Sequence, residues 1–235
     1  MSLQFPFRSM SLLARLSLLS VLAAAVLSAG VTTTSILRFS DRSTVDGASS
    51  TLVRNDAGIT MTFLTSDLDS GATYTIWWII FNNPEHCATP HACAGGDLAP
   101  RGGDPAVQSS VGLATGRIVL GSGVGEFGAH LAPGDATGFR FGPGLIDPMK
   151  AEIHLVVRTH GPPIPGMEDD QTSSLNAGCP PNTCEDHQFA IHIPGMDMGA
   201  QNQGTILECL EELKTELERT KALLDRVAIR AGIRP

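Results

Sequence analysis

Thr73-Tyr74-Thr75-Ile76-Trp77-Trp78-Ile79-Ile80-Phe81 is the stretch on which the fold turns. Side chains alternate across a strand, so one that is wet on one side is polar at every second position. Here both parities become apolar from Ile76 onward, and Trp77 and Trp78 point to opposite faces. Such a strand is expected near the centre of a sheet, covered on both sides.

Around it, Gly and Pro recur every few residues, and no long pattern of period 3.6 interrupts them before residue 205. Helices should be scarce in this body. Further extended candidates are Ile59 to Leu64, Val111 to Leu120, Gly125 to Leu131, Ala151 to Thr159 and Gln188 to Ile193, each bounded by turn formers. Gly121-Ser122-Gly123-Val124-Gly125 reads as a hairpin turn between two of them. Many short strands with turn-rich connections predict a mainly β chain, an antiparallel β-sandwich or jelly roll.

Three of these strands carry a histidine opposite their apolar parity. Phe127, Ala129 and Leu131 leave His130 on the other side, and Ile153, Leu155 and Val157 leave His154. With Phe189, Ile191 and Ile193 inward, His192 and Gln188 face out. If the strands are neighbours, His130, His154 and His192 converge, with His160 at a strand end, and such a set ligates zinc or copper. Solvent-facing imidazoles on a polar sheet surface are the competing reading. A blue-copper arrangement of Cys184, His187 and Met196 is a loose match, since Cys179 stands close upstream and Met196 lies beyond Pro194-Gly195.

Four of the five cysteines form two close pairs, and their spacing favours disulfides Cys87–Cys93 and Cys179–Cys184. Zinc ligation by Cys87, His91 and Cys93, or by Cys184 and His187, is the alternative, but neither group has the paired CxxC spacing of a ribbon or finger. The N-terminus agrees with oxidation. Arg8 and Arg15 precede an apolar run from Leu16 to Leu27 that ends in Ser28-Ala29-Gly30, the pattern of a signal peptide over 1–30, with an uncleaved anchor from Met10 to Ala29 as the other option. The expected location is secreted or periplasmic, with no membrane association once the signal is cleaved.

Charge narrows the partners. Val31 to Gly204 holds eighteen Asp and Glu against eight Lys and Arg, whereas Thr205 to Pro235 holds six of each. An acidic body repels phosphate backbones and anionic headgroups, which argues against nucleic acid and polybasic membrane docking. No Gly-x-Ser-x-Gly elbow, His-Glu-x-x-His helix or nucleotide fingerprint occurs. Glu126 and Glu152 are conceivable paired carboxylates, and Glu168-Asp169-Asp170 lacks EF-hand spacing.

Residues 205–235 are of another kind. Thr205 and Glu208 form a capping-box pattern, and Gly232 is placed to end a helix. Ile206, Leu210, Leu213, Leu217, Thr220, Leu224 and Val227 step alternately by four and three, a short coiled-coil seam in which Leu210, Leu213, Leu217, Leu224 and Val227 would build a homo-oligomer. Cys209, the odd cysteine, flanks that seam.

The segment Tyr74-Thr75-Ile76-Trp77-Trp78-Ile79-Ile80-Phe81-Asn82-Asn83-Pro84-Glu85-His86-Cys87, with Arg158-Thr159-His160-Gly161-Pro162 and Gly178-Cys179-Pro180-Pro181-Asn182-Thr183-Cys184, resembles uncharacterised exported bacterial proteins. That resemblance covers most of residues 31–204, excludes the tail, and implies export and disulfides but no activity. The sequence therefore leads to a non-enzymatic extracytoplasmic binding or surface-structural protein of three parts, 1–30, 31–204 and 205–235. The alternative is a zinc or copper protein, or metalloenzyme, using the histidine face.

Overall fold

The computed structural model describes residues 30–195. Residues 1–29 of the expected signal segment and the coiled-coil seam, with Leu210, Leu213, Leu217, Leu224, Val227 and Cys209, lie outside the described residues, while Gly30 opens the first strand.

Nine strands form the body: β1 (Gly30–Arg38), β2 (Thr44–Asn55), β3 (Gly58–Thr65), β4 (Thr73–Phe81), β5 (Ser109–Ile118), β6 (Gly125–Leu131), β7 (Phe139–Phe141), β8 (Glu152–Thr159) and β9 (Glu185–His192). They make one antiparallel sheet in the order β6-β3-β2-β1-β9-β8-β4-β5-β7. This corrects the expected β-sandwich or jelly roll. Instead of two sheets closing on each other, a single sheet curls into a half-barrel and buries its own concave face. Short strands with polar turns suit both architectures, because local pattern does not encode which strands become neighbours. The one α-helix among the described residues is α1 (Glu168–Ser173), and four single-turn 3-10 helices lie between residues 84 and 107.

β4 occupies the expected central place. It is paired along its length with β5 on one side and β8 on the other. Tyr74, Ile76, Trp78 and Ile80 enter the main core with Leu52, Ile59, Phe63, Phe127, Ile153, Leu155 and Val157. On the opposite face, Phe81 joins a small second core of Cys87, Cys93 and Val107, with Ile79 and Leu98 against it. The Gly121–Gly125 turn is not a hairpin: β5 pairs with β4 and β7, while β6 pairs with β3. It carries the chain from one side of the curl to the other, and Arg117 Nη1 donates to Glu126 O where the two sides approach.

Strands β1 and β2 have no counterpart in the apolar pattern, and the reason is chemical. The β1–β9 ladder consists of two residue pairs, Leu37 with Phe189 and Arg38 with Gln188. Next to it Phe39 N donates to His187 O, and polar side chains fill the joint on the core side. His192 shares hydrogen bonds with Thr32 Oγ1 (2.9 Å) and Ser50 Oγ (2.8 Å). Arg54 donates to Pro148 O, Ala151 O and His192 O. Buried polar groups are tolerated when they are bonded in this way. The core-facing positions of β1 and β2 thus include Thr32, Ser50 and Arg54, which disguises the alternation.

Candidate functional site

The outer face of β4 is covered at both ends and open in the middle. At one end lies the segment from Asn82 to Gln108, pinned by the Cys87–Cys93 disulfide (Cα–Cα 5.4 Å). Asp97, buried within it, accepts from Ala88 N and Ala94 N, both at 2.8 Å. Asn82 fixes its base, donating to Gln108 O and Gly144 O and accepting from Ile146 N. At the other end lie α1 and a loop closed by the Cys179–Cys184 disulfide (Cα–Cα 5.8 Å). Both expected pairings are therefore formed, and disulfides belong to oxidising compartments. Among the described residues, no helix is long and apolar enough to cross a membrane.

Between the two loops runs a cleft of about 500 Å³. Trp77, Ile79, Phe81, Val111, Val156, Phe189 and Ile191 line it with apolar surface. Its charged lining is predominantly basic: Arg42, Arg101, Arg140 and Arg158 are half of the eight basic residues between Val31 and Gly204, while Asp186 is the one Asp or Glu. Asp186 is engaged, accepting from Arg158 Nη1 at 2.7 Å. Arg158 also donates to Leu175 O and Cys184 O, so it holds the disulfide loop as well as facing the cleft. Arg42 stacks on Phe189, 4.7 Å from the ring centroid to its guanidinium carbon, and Arg101 and Arg140 are exposed. The cleft inverts the sign of the body's net charge, and in an apolar concavity a fixed charge acts more strongly than on open surface.

His154 and Glu152 form a dyad beside this cleft. His154 Nε2 lies 2.6 Å from Glu152 Oε1, which also accepts from Cys93 N at 3.0 Å. Glu152 is fully buried, and its Oε2 has no hydrogen-bond partner among the described residues. The His154 ring meets Phe81 edge-on at 5.1 Å.

The four candidate histidines do not share one site. His130 lies on the outer side of β6, as its parity predicts, and bonds to Thr60 Oγ1. In the sheet order, β3, β2, β1 and β9 stand between β6 and β8. His192 is on the opposite face from the one expected, because the parity of β9 is reversed: Ala190 and His192 face the core, Phe189 and Ile191 the cleft. The reversal follows from the polar joint, which needs an imidazole inside, while the outer face of β9 is apolar because it lines the cleft. Burial, with Arg54 and then His154 adding to it, pushes the His192 pKa down to about 3.

His160 is also fully buried. Its Nε2 shares a hydrogen bond with Thr75 Oγ1 (3.0 Å), and Nδ1 lies 3.0 Å from Ala177 O and 3.5 Å from Cys184 Sγ. Burial holds this imidazole below its usual range. Among the described residues, the other groups weighed from sequence form no further cluster of three ligating side chains, and Met196 of the blue-copper reading lies outside the described residues. His187 Nε2 contacts Asp67 O, and His86 and His91 are exposed. Glu126 is exposed on β6, and Glu168 to Asp170 form the first turn of α1, where carboxylates suit the helix dipole.

The arginine-lined cleft was invisible in the sequence because its basic residues are 18 or more positions apart and follow no motif. The apolar outer parity of Trp77, Ile79 and Phe81 was the one available signal. Compared with known proteins, the chain matches no family model, no curated protein and no solved structure.

Proposed function

We propose that this is a secreted or periplasmic binding protein for an amphiphilic anion, a molecule with an apolar body and a carboxylate or comparable acidic head. The observation that carries the reading is the convergence of four arginines on an apolar cleft in an acidic protein. A cleft of about 500 Å³ falls within the range of small-molecule sites. The aromatic and aliphatic floor supplies burial, and the guanidinium groups select the sign of the head. Arg101 and Arg140 are the groups free to turn toward a head, since Arg158 is held by Asp186 and backbone carbonyls. The disulfide-pinned walls keep the site preformed, which lowers the ordering cost of binding.

Dodecanoate, its methyl ester and dodecylamine share an apolar body and differ in charge, so titrating each against the full oxidised chain tests the reading. Trp77 in the cleft reports occupancy by fluorescence. Dodecanoate should bind saturably and most tightly, and Arg101→Glu with Arg140→Glu should weaken it by at least about 10-fold, the scale of one charge-assisted hydrogen bond. Equal binding of the amine and the carboxylate, absence of saturable binding, or an unaffected double variant would each refute the proposal.

A further inference from the structure

The corner formed by His160, Cys179 and Cys184 does more than close a loop. One ligating atom from each lies within 4.8 Å of the others, the one such convergence of three His, Cys, Asp or Glu side chains among the described residues. From this juxtaposition we infer that reducing the Cys179–Cys184 disulfide turns the corner into a zinc site, with two thiolates and His160 Nδ1 as ligands and water in the fourth position.

The geometry is already near that of the ion's shell. Bonds of about 2.0–2.1 Å to nitrogen and about 2.3 Å to sulfur place tetrahedral nitrogen and sulfur ligands roughly 3.6 Å apart. His160 Nδ1 and Cys184 Sγ stand 3.5 Å apart. Once the sulfur–sulfur bond is cleaved, the two sulfurs need separate only to the thiolate–thiolate edge of the same tetrahedron, about 3.8 Å. The imidazole is already oriented from behind. With zinc on Nδ1, Nε2–H donates to Thr75 Oγ1, which also accepts from Trp77 Nε1–H at 2.9 Å. Such a partner fixes tautomer and ring angle in metal-bound histidines. The Nδ1 contact with Ala177 O is given up when the ion binds.

The chemistry balances with a dithiol as the reductant. Its two thiols transfer two electrons and two protons to the disulfide, leaving it oxidised to its own disulfide and Cys179 and Cys184 as thiols. Zinc then forms two bonds to sulfur and one to nitrogen, and two protons leave to solvent. The inference does not depend on what occupies the cleft. The Thr75 and Trp77 link nevertheless places the cleft floor within reach of the ion's effects.

Cobalt(II), a zinc stand-in whose thiolate complexes absorb strongly, is the probe. Full-length protein reduced with a phosphine should bind one cobalt with thiolate-to-metal charge-transfer and tetrahedral ligand-field bands, displaced by zinc, and the oxidised protein should show neither. Cys179→Ser with Cys184→Ser should abolish the bands although Cys87, Cys93 and Cys209 remain. His160→Gln should weaken affinity more than about 100-fold, and Thr75→Val by about 10- to 100-fold, the range for groups that orient a ligand. If His160→Gln does not fold, the double cysteine variant decides. Bands persisting in that variant, no cobalt bound by reduced protein that keeps its β-sheet circular dichroism, or a fold lost on reduction that zinc does not restore, would each overturn the inference.

Discussion

His192 shows how one buried residue makes folding stability depend on pH. Its folded pKa of about 3 lies below the ~6.5 of an exposed imidazole. Between those values the unfolded chain takes up a proton that the folded one refuses. The stabilisation is complete above about pH 6.5, declines as pH falls toward about 3, and changes no further below that. The full change is on the order of 4–5 kcal/mol. Urea unfolding at a series of pH values should therefore show His192→Asn less stable than wild type near neutrality, with the gap narrowing toward pH 4. A gap that stays constant would mean that His192 does not titrate with folding. Gly116 makes a different residue-scale point. A Cβ there would fall inside the van der Waals envelope of Thr172 O, where α1 lies on β5. Gly116→Ala should cost roughly 1–3 kcal/mol or more in denaturant unfolding, the price of overpacking against backbone.

Among the elements, the 82–108 segment behaves as a lid fixed at two points. Asn82 satisfies two carbonyls and one amide from two other chain segments, at Gln108 and at 144–146, and it is buried. Asn82→Ala leaves those groups unpaired inside the protein, so a loss of about 2–4 kcal/mol is expected from chemical unfolding, with each orphaned group costing about 1–3 kcal/mol less whatever water recovers. A loss below about 1 kcal/mol would mean that the segment relaxes to pair them elsewhere. β9 carries the contrasting lesson. Phe189 and Ile191 are apolar because they face a cleft, and Ala190 and His192 face the core, so the rule that apolar means inward gives the wrong parity. β4, apolar on both parities, was immune to that error.

At the scale of the whole molecule, the sheet is two arrays joined by a weak seam. Within the sheet, β6-β3-β2-β1 and β9-β8-β4-β5-β7 meet through the short β1–β9 ladder, the Phe39 N to His187 O bond and the polar set around His192 and Arg54, while their concave faces share the main core. β4, by contrast, is laddered on both sides, covered along its core face and covered at both ends of its outer face. Local opening follows the least protected hydrogen bonds. Amide exchange should accordingly be slowest for Ile76 to Ile80 and clearly faster for Phe39, whose N–H donates to His187 O across the seam. Uniform protection across the seam would show that the two arrays open only together.

The sequence by itself determined six of the nine strands of the described body (β3, β4, β5, β6, β8 and β9), the interior place of Thr73 to Phe81 in the sheet, both cysteine pairings and the scarcity of helix before residue 195. Each follows from local information: alternation, turn chemistry and short covalent spacing. Tertiary structure alone decided that the strands form one curled sheet, that β1 and β2 present Thr32, Ser50 and Arg54 to the core, and that His160 meets Cys179 and Cys184. It also brought Arg42, Arg101, Arg140 and Arg158 to one cleft. Strand pairing is a property of residues far apart in the chain. A polar residue turned inward is stabilised by partners more than a hundred positions away, as Thr32 and Ser50 are by His192. No window of sequence contains both halves of such an interaction, and so no local reading can show which face of its strand will be buried.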